Sequence, residues 1–295
     1  MNKDQPVTNL ITIEVNINST LERVWECWTV PHHIMHWNTA SDDWQTTYAE
    51  NDPVSGGKFS SRMEAKDGSF GFDFWGNHTR VEKHSLIESA MGDGRKMIVK
   101  FTPAGSAVIV TESFEAENEN SLELQRTGWL SILENFKKYC ENPANLKHLH
   151  FEISISSPAE KVVSVMLEPE TYRAWTAIFN QDSRYIGSWT KGSKILFTGT
   201  DGDGNTGGMV SWIKENIHGK FVSIEHLGVL KDGKEITEGP EASHWKGSLE
   251  NYSFVSAGGL TLLSVDIDST TEFISYFSDT WPQALNRIKS LCEDR

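Results

Sequence analysis

At 295 residues the chain is about twice the common single-domain size, so two domains, each able to bury its own core, are the default count. Its 38% hydrophobic and 23% charged residues exclude the disordered and membrane classes, and a net charge of −14 argues against nucleic acid or an anionic membrane as partner. No apolar run approaches the roughly 18 residues that span a bilayer, and the opening Met1-Asn2-Lys3-Asp4-Gln5-Pro6 lacks the apolar run of a secretory signal, so a cytoplasmic location is expected.

The first patterned segment, Leu10 to Ile17, alternates apolar and polar residues and reads as a half-buried strand. Ser19 or Thr20 then caps a helix through Leu21, Val24, Trp25 and Trp28, and Pro31 starts a second short helix reaching Trp37. Strands follow at Lys58 to Met63, Phe70 to Arg80, Ser85 to Ala90, Lys96 to Phe101 and Ala107 to Phe114. Lys66-Asp67-Gly68, Asp93-Gly94 and Pro103-Ala104-Gly105 are the turns between them. A helix from about Ser121 to Cys140 closes the series, with Trp129, Leu133 and Phe136 on one face. The polar connector Glu141 to Asn145 is the natural boundary.

The same order then repeats. Phe151 to Ile155 alternates, Ser157-Pro158 opens a helix through Val162, Val165 and Met166, and Pro169 leads to Trp175. A constant offset carries Ile17 onto Ile155, Val24 onto Val162, Pro31 onto Pro169 and Trp37 onto Trp175. Strands are expected at Lys194 to Thr198, Met209 to Lys214, Phe221 to Leu227, Trp245 to Phe254 and Leu260 to Ile267. Val229 to Ala242 is an insertion that lengthens one connection, and a helix from about Thr270 to Cys292 presents Trp281, Leu285 and Ile288. The pattern predicts an α+β protein of two tandem domains, 8–142 and 147–294, each a curved antiparallel sheet with a long C-terminal helix.

Strand, two short helices, a six-stranded meander and one long helix resemble the helix-grip superfamily of START and birch-pollen-allergen-like domains. Val24 to Pro31, Gly56-Gly57-Lys58-Phe59, Gly68 with Phe72 to Gly76, and Gly128-Trp129 with Leu133 resemble the activator-of-heat-shock-protein-90-ATPase-like family within it, also called SRPBCC. The second copy departs: it lacks the Trp-x-x-Trp pair and carries Gly192-Ser193-Lys194 in place of the double glycine. The resemblance implies a cavity between sheet and long helix that accepts small, mostly apolar molecules; it names no ligand, because one fold hosts many roles.

Strand alternation and helix facing select the candidate ligand-binding residues. In the first copy these are Phe59, Met63, Phe72, Phe74, His78, Met97, Trp129 and Leu133, with Ser61 beside them and Trp37 at the mouth. A regular strand would also turn Arg80 inward, whereas a bulge would turn it out. In the second copy they are Trp175, Phe197, Met209, His226, Trp245, Tyr252 and Trp281, with Ser211.

Other chemistries find little support. His32, His33 and His36 lack a Cys or carboxylate in register, so no metal site is expected and solvated histidines are the plainer reading. Asp201-Gly202-Asp203-Gly204-Asn205 departs from a calcium loop at Thr206 and Trp212 and reads as a hairpin turn. No glycine-rich loop joins strand to helix and no nucleophile elbow occurs, so no cofactor is expected. Cys27, Cys140 and Cys292 read as reduced structural thiols.

Three functions remain open at this level. One is carriage of a small hydrophobic or aromatic molecule; another is a cyclase- or hydratase-like enzyme with His78 or His226 as general acid-base. The third is a chaperone-partner protein, whose acidic surface would meet a basic client.

Overall fold

The computed structural model describes residues 9–142, 146–200 and 204–294; Met1 to Pro6, residues 143–145 of the expected connector and residues 201–203 of the expected hairpin turn lie outside them. The backbone falls into two compact units, Met1–Pro143 and Ala144–Arg295.

The first unit begins with β1 (Leu10–Ile17), α1 (Leu21–Thr29) and α2 (Pro31–Trp37). Strands β2 (Trp44–Asn51), β3 (Lys58–Ala65), β4 (Gly71–Glu82), β5 (Leu86–Met91), β6 (Lys96–Ala104) and β7 (Ala107–Glu115) lead to α3 (Leu122–Glu141). Alternation in β1 buries Ile11, Ile13, Val15 and Ile17 and exposes the residues between. Each such side chain withdrawn from water contributes about 1.5–3 kcal/mol. Thr20 caps α1 by accepting a hydrogen bond from the Arg23 amide, Pro31 opens α2 where no amide bond is needed, and Ser121 caps α3. Leu133, Phe136 and Cys140 lie buried along α3, one helical turn apart. The antiparallel sheet runs β1-β7-β6-β5-β4-β3-β2, a meander closed by the first strand pairing with the last.

The second unit repeats the order with β8 (Leu146–Ile155), α4 (Ala159–Leu167), α5 (Pro169–Thr176), β9 (Arg184–Gly187), β10 (Lys194–Thr200) and β11 (Thr206–Ile217). Next come β12 (Phe221–Lys231), β13 (Lys234–Ile236), α6 (Pro240–Ser243), β14 (Leu249–Ala257), β15 (Leu260–Thr270) and α7 (Ile274–Glu293). Its sheet order is β8-β15-β14-β12-β11-β10-β9, with β13 paired to β12. Each unit is thus an α+β fold in which a curved antiparallel sheet grips its own C-terminal helix.

Several elements differ from the sequence expectation. Strands β2 and β9 precede the first expected strand of each meander. The insertion is partly ordered as the β12–β13 hairpin, with Val229 facing Ile236, followed by the short α6. Trp245 lies in the turn after α6 rather than in a strand, since β14 starts only at Leu249. In β4 an extra residue, Thr79, opposes no partner on β5, because His78 pairs with Ser89 while Arg80 already pairs with Glu88. That bulge turns Arg80 out to solvent, where it meets Glu82 and Glu88.

Candidate functional site

Between the inner sheet face and α3 of the first unit lies a cavity of about 580 Å³. Inward-facing residues of β3 supply Phe59, Ser61 and Met63, β4 supplies Phe72, Phe74 and His78, and β6 supplies Met97. From the helices come Trp37, Trp129 and Leu133. All ten of these side chains, each selected from the sequence, line the cavity. Trp37, however, is not at the mouth: it is buried, stacked on Trp28 with centroids 5.2 Å apart and set against Phe136 at 4.8 Å. Its indole nitrogen donates to the Cys27 carbonyl at 2.9 Å, so it ties α2 to α1. Trp129 stacks on Phe114 at 4.0 Å and meets the edge of Phe74 at 5.7 Å, which fixes one wall.

The polar groups of this wall differ in how they are held. His78 Nδ1 lies 2.9 Å from Ser89 Oγ and Nε2 lies 2.8 Å from Asn51 Oδ1. Asn51 Nδ2 donates to the Thr29 carbonyl at 2.7 Å, so Oδ1 accepts and the imidazole proton sits on Nε2. In the neutral ring Nδ1 then accepts from the Ser89 hydroxyl, so both nitrogens are engaged. Burial pushes the imidazole below its ordinary value, opposed by nearby Asp52.

Glu112 was not among the residues picked from the sequence. It sits on β7 at the inward parity of Val108, Val110 and Phe114, 5% exposed, with its carboxyl facing the cavity. Across the sheet it stands between Ile13 and Val99, neither of which offers a hydrogen bond. Among the described residues it has no hydrogen-bond or ionic partner, and burial pushes its carboxyl up to about 8.

The second unit has a smaller cavity of about 270 Å³. Trp175, Phe197, Met209, His226, Trp245, Tyr252 and Trp281 all line it, whereas Ser211 does not. Register explains the lost volume. Lys58 pairs with Asn77 as Lys194 pairs with Trp212, which sets Ser61 against Phe197 in the repeat. The row Ile13, Glu112, Val99 of the first sheet becomes Phe151, Val265, Tyr252 in the second. A ring replaces a hydroxyl in one place and a valine in the other, and the space shrinks. Trp281 packs against Phe179 at 5.1 Å and Trp175 at 5.9 Å.

The histidine cluster is buried rather than solvated at His32 and His33. His33 Nδ1 lies 2.7 Å from the Tyr139 hydroxyl, and His36 stacks on the same ring at 5.3 Å, so this cluster packs α2 against α3. No helix among the described residues is long and apolar enough to cross a membrane.

Fold and cavities together define a tandem helix-grip protein. Residues 18–141 match the profile of the family described as Activator of Hsp90 ATPase homolog 1-like protein, and the chain belongs to that family. The solution structure of an AHSA1-like protein from Aeromonas hydrophila is 44% identical over 45% of this chain and 92% of that one, with a TM-score of 0.44. A second solution structure, from Cytophaga hutchinsonii, is 46% identical over 45% of this chain and 92% of its own, with a TM-score of 0.41. Over both units, the crystal structure of the di-domain ARO/CYC StfQ from the steffimycin biosynthetic pathway matches at 10% identity. It covers 97% of this chain and 99% of that one, with a TM-score of 0.55, a likeness of fold. No curated protein matches the chain.

Proposed function

We propose that the first unit binds a small, mostly apolar molecule in its cavity and that the second unit has kept the fold while filling about half of the corresponding space. The observation that carries this reading is the contrast between about 580 Å³ lined by Phe59, Phe74, Trp129 and Met97 and about 270 Å³ in the repeat. The enzyme reading with His78 as general acid-base has less support, because both of its ring nitrogens are engaged by Ser89 and Asn51. Likeness to the ARO/CYC di-domain proteins is one of fold alone and favours no particular reaction.

Tryptophan-fluorescence titration of the full chain with naphthalene derivatives tests the proposal. Ser61→Phe, which places in the first cavity the ring that Phe197 supplies in the second, is expected to abolish binding. Met209→Trp in the smaller cavity is expected to leave it intact. Binding that survives Ser61→Phe, or no saturable binding by the unaltered chain, overturns the assignment.

A further inference from the structure

The first cavity holds an acid that its fold does not require. At the same place in the sheet of the second unit stands Val265, fully buried. A carboxyl set among Ile13, Val99 and Phe114 without a hydrogen-bond partner is a cost to the folded state that valine avoids. Such a group has one outlet, the cavity it faces.

The rest of the wall says what chemistry would meet it. Four carboxyl side chains line the cavity, Glu50, Glu112, Glu117 and Glu119, against one guanidinium, Arg95, and no lysine. Arg95 is already committed: its Nε lies 2.7 Å from Asp93 Oδ2 and its Nη1 donates to the Glu115 carbonyl at 2.8 Å. Glu117 is turned toward the amides of Glu119 and Asn120 ahead of α3, where it stays ionised. An anionic ligand would meet this negative wall and find no uncommitted cation among the lining residues. A cation would find ring faces as well, from Phe59, Phe74 and Trp129.

The geometry points to a ligand with an aromatic or aliphatic body and one protonatable nitrogen, received by Glu112 in the first cavity. This rests on the proposed binding function and adds the ligand class to it. The body fills the apolar space and the nitrogen reaches β7. In the empty cavity Glu112 holds its proton. When an ammonium group docks, the carboxyl gives that proton to solvent and remains as carboxylate against the cation, so one proton leaves for each amine bound. His78 from β4, Arg95 from the turn before β6, Glu50 from β2, and Glu117 and Glu119 ahead of α3 are the other titratable or charged groups of the cavity. Only Glu112 among them is both buried and without a partner among the described residues.

The test compares three probes of one shape, naphthylethylamine, naphthylethanol and naphthylacetate, on the full chain at neutral pH. Binding of the amine about tenfold or more tighter than the alcohol, with the acetate weakest, is expected from a charge-assisted bond in an apolar site. In Glu112→Gln, and in Glu112→Val which copies the second unit, the amine-to-alcohol ratio is expected to fall close to one. Calorimetry in two buffers of different ionisation enthalpy is expected to show proton release with the amine only, lost in Glu112→Gln. Equal binding of all three probes, or an amine preference that persists in both variants, overturns the assignment of the nitrogen while leaving the cavity as a binding site. If none of the three binds, the binding function falls and this inference with it.

Discussion

His78 and Ser89 are hydrogen-bonded across β4 and β5 at 2.9 Å, and the second unit bonds Ser211 of β11 to His226 of β12 at 2.8 Å with the two sides exchanged. The exchanged pair sits one rung along, because Ile213 occupies the place of His78: it makes the backbone bonds to Gly192 and Ser193 that His78 makes to Gly56 and Gly57. A histidine at this spot is therefore not demanded by the sheet, and its two bonds have to offset the cost of burying it. Ser89→Ala leaves Nδ1 buried without its donor and is expected to lower the stability of the first unit by about 1–3 kcal/mol, read from urea denaturation. The depressed imidazole adds a pH signature. The unfolded chain takes up this proton near the ordinary value of 6.5 while the folded one resists, so stability is full above 6.5 and falls as pH drops below it. His78→Gln is expected to remove that part of the loss.

Glu112 acts with the opposite sign. Its carboxyl is raised from 4.5 to about 8 by burial, so the folded chain keeps a proton that the unfolded chain has released. Its contribution is fully present below 4.5 and is lost as pH rises toward about 8. Replacement by a neutral isostere is therefore expected to stabilise the first unit increasingly over that range. The gain of Glu112→Gln at pH 8 over that at pH 5 should be on the order of 3 kcal/mol. Melting temperatures of both proteins across the range check it, and a difference that does not grow with pH contradicts the buried, unpaired state.

The residues that could be read from the sequence are those whose placement follows a period. Ile11, Ile13, Val15 and Ile17 announce β1, and Trp129, Leu133 and Phe136 announce the inner face of α3, because burial there is paid out in apolar side chains. Strand β2 hides because three of its four buried positions are polar, Gln45, Thr46 and Thr47 beside Ala49, held by bonds such as Thr46 Oγ1 to the Asn38 carbonyl at 2.6 Å. The bulge at Thr79 carries no glycine or proline to mark it, so the outward turn of Arg80 is decided by tertiary pairing. Glu112 was legible in principle from the parity of Val108, Val110 and Phe114. A charged residue at an inward place is easily read as an outward one, and only its lack of a partner in three dimensions gives it meaning.

The three cysteines make a chemical prediction. Cys27, Cys140 and Cys292 are free and buried. Burial and the neighbouring Cys27 hold the Cys140 thiol far above its ordinary value, and burial pushes Cys292 up to about 11. A thiolate is the reacting species, so modification of Cys140 and Cys292 by a disulfide reagent at pH 8 should be slower than for free cysteine by about a hundredfold or more. All three thiols are expected to react at once in denaturant, counted by absorbance, and rapid labelling of the native protein would contradict their packing.

The double glycine before β3 locates His78 through the backbone, and its two members do different work. Gly56 adopts φ +90° and Gly192 of the repeat φ +79°, a conformation that side chains other than glycine rarely tolerate, so glycine stands at both places. Gly57 is replaced by Ser193 in the second unit, yet in the first a Cβ there would come within 2.1 Å of the Asp52 carbonyl oxygen. That oxygen belongs to backbone and cannot swing aside as a side-chain tip would. Gly56 donates to the His78 carbonyl at 2.7 Å and His78 donates to the Gly57 carbonyl at 2.8 Å, so movement here is passed directly to the cavity wall. Gly57→Ser, harmless by comparison of the two halves, is therefore expected to destabilise the first unit by about 2 kcal/mol or more through strain. It should also loosen His78 from Asn51 and Ser89, seen as a change in the imidazole resonances and their titration by NMR. A Gly57→Ser protein with unchanged stability and unchanged imidazole titration would mean that the Asp52 turn yields freely and that the glycine pair does not position the wall.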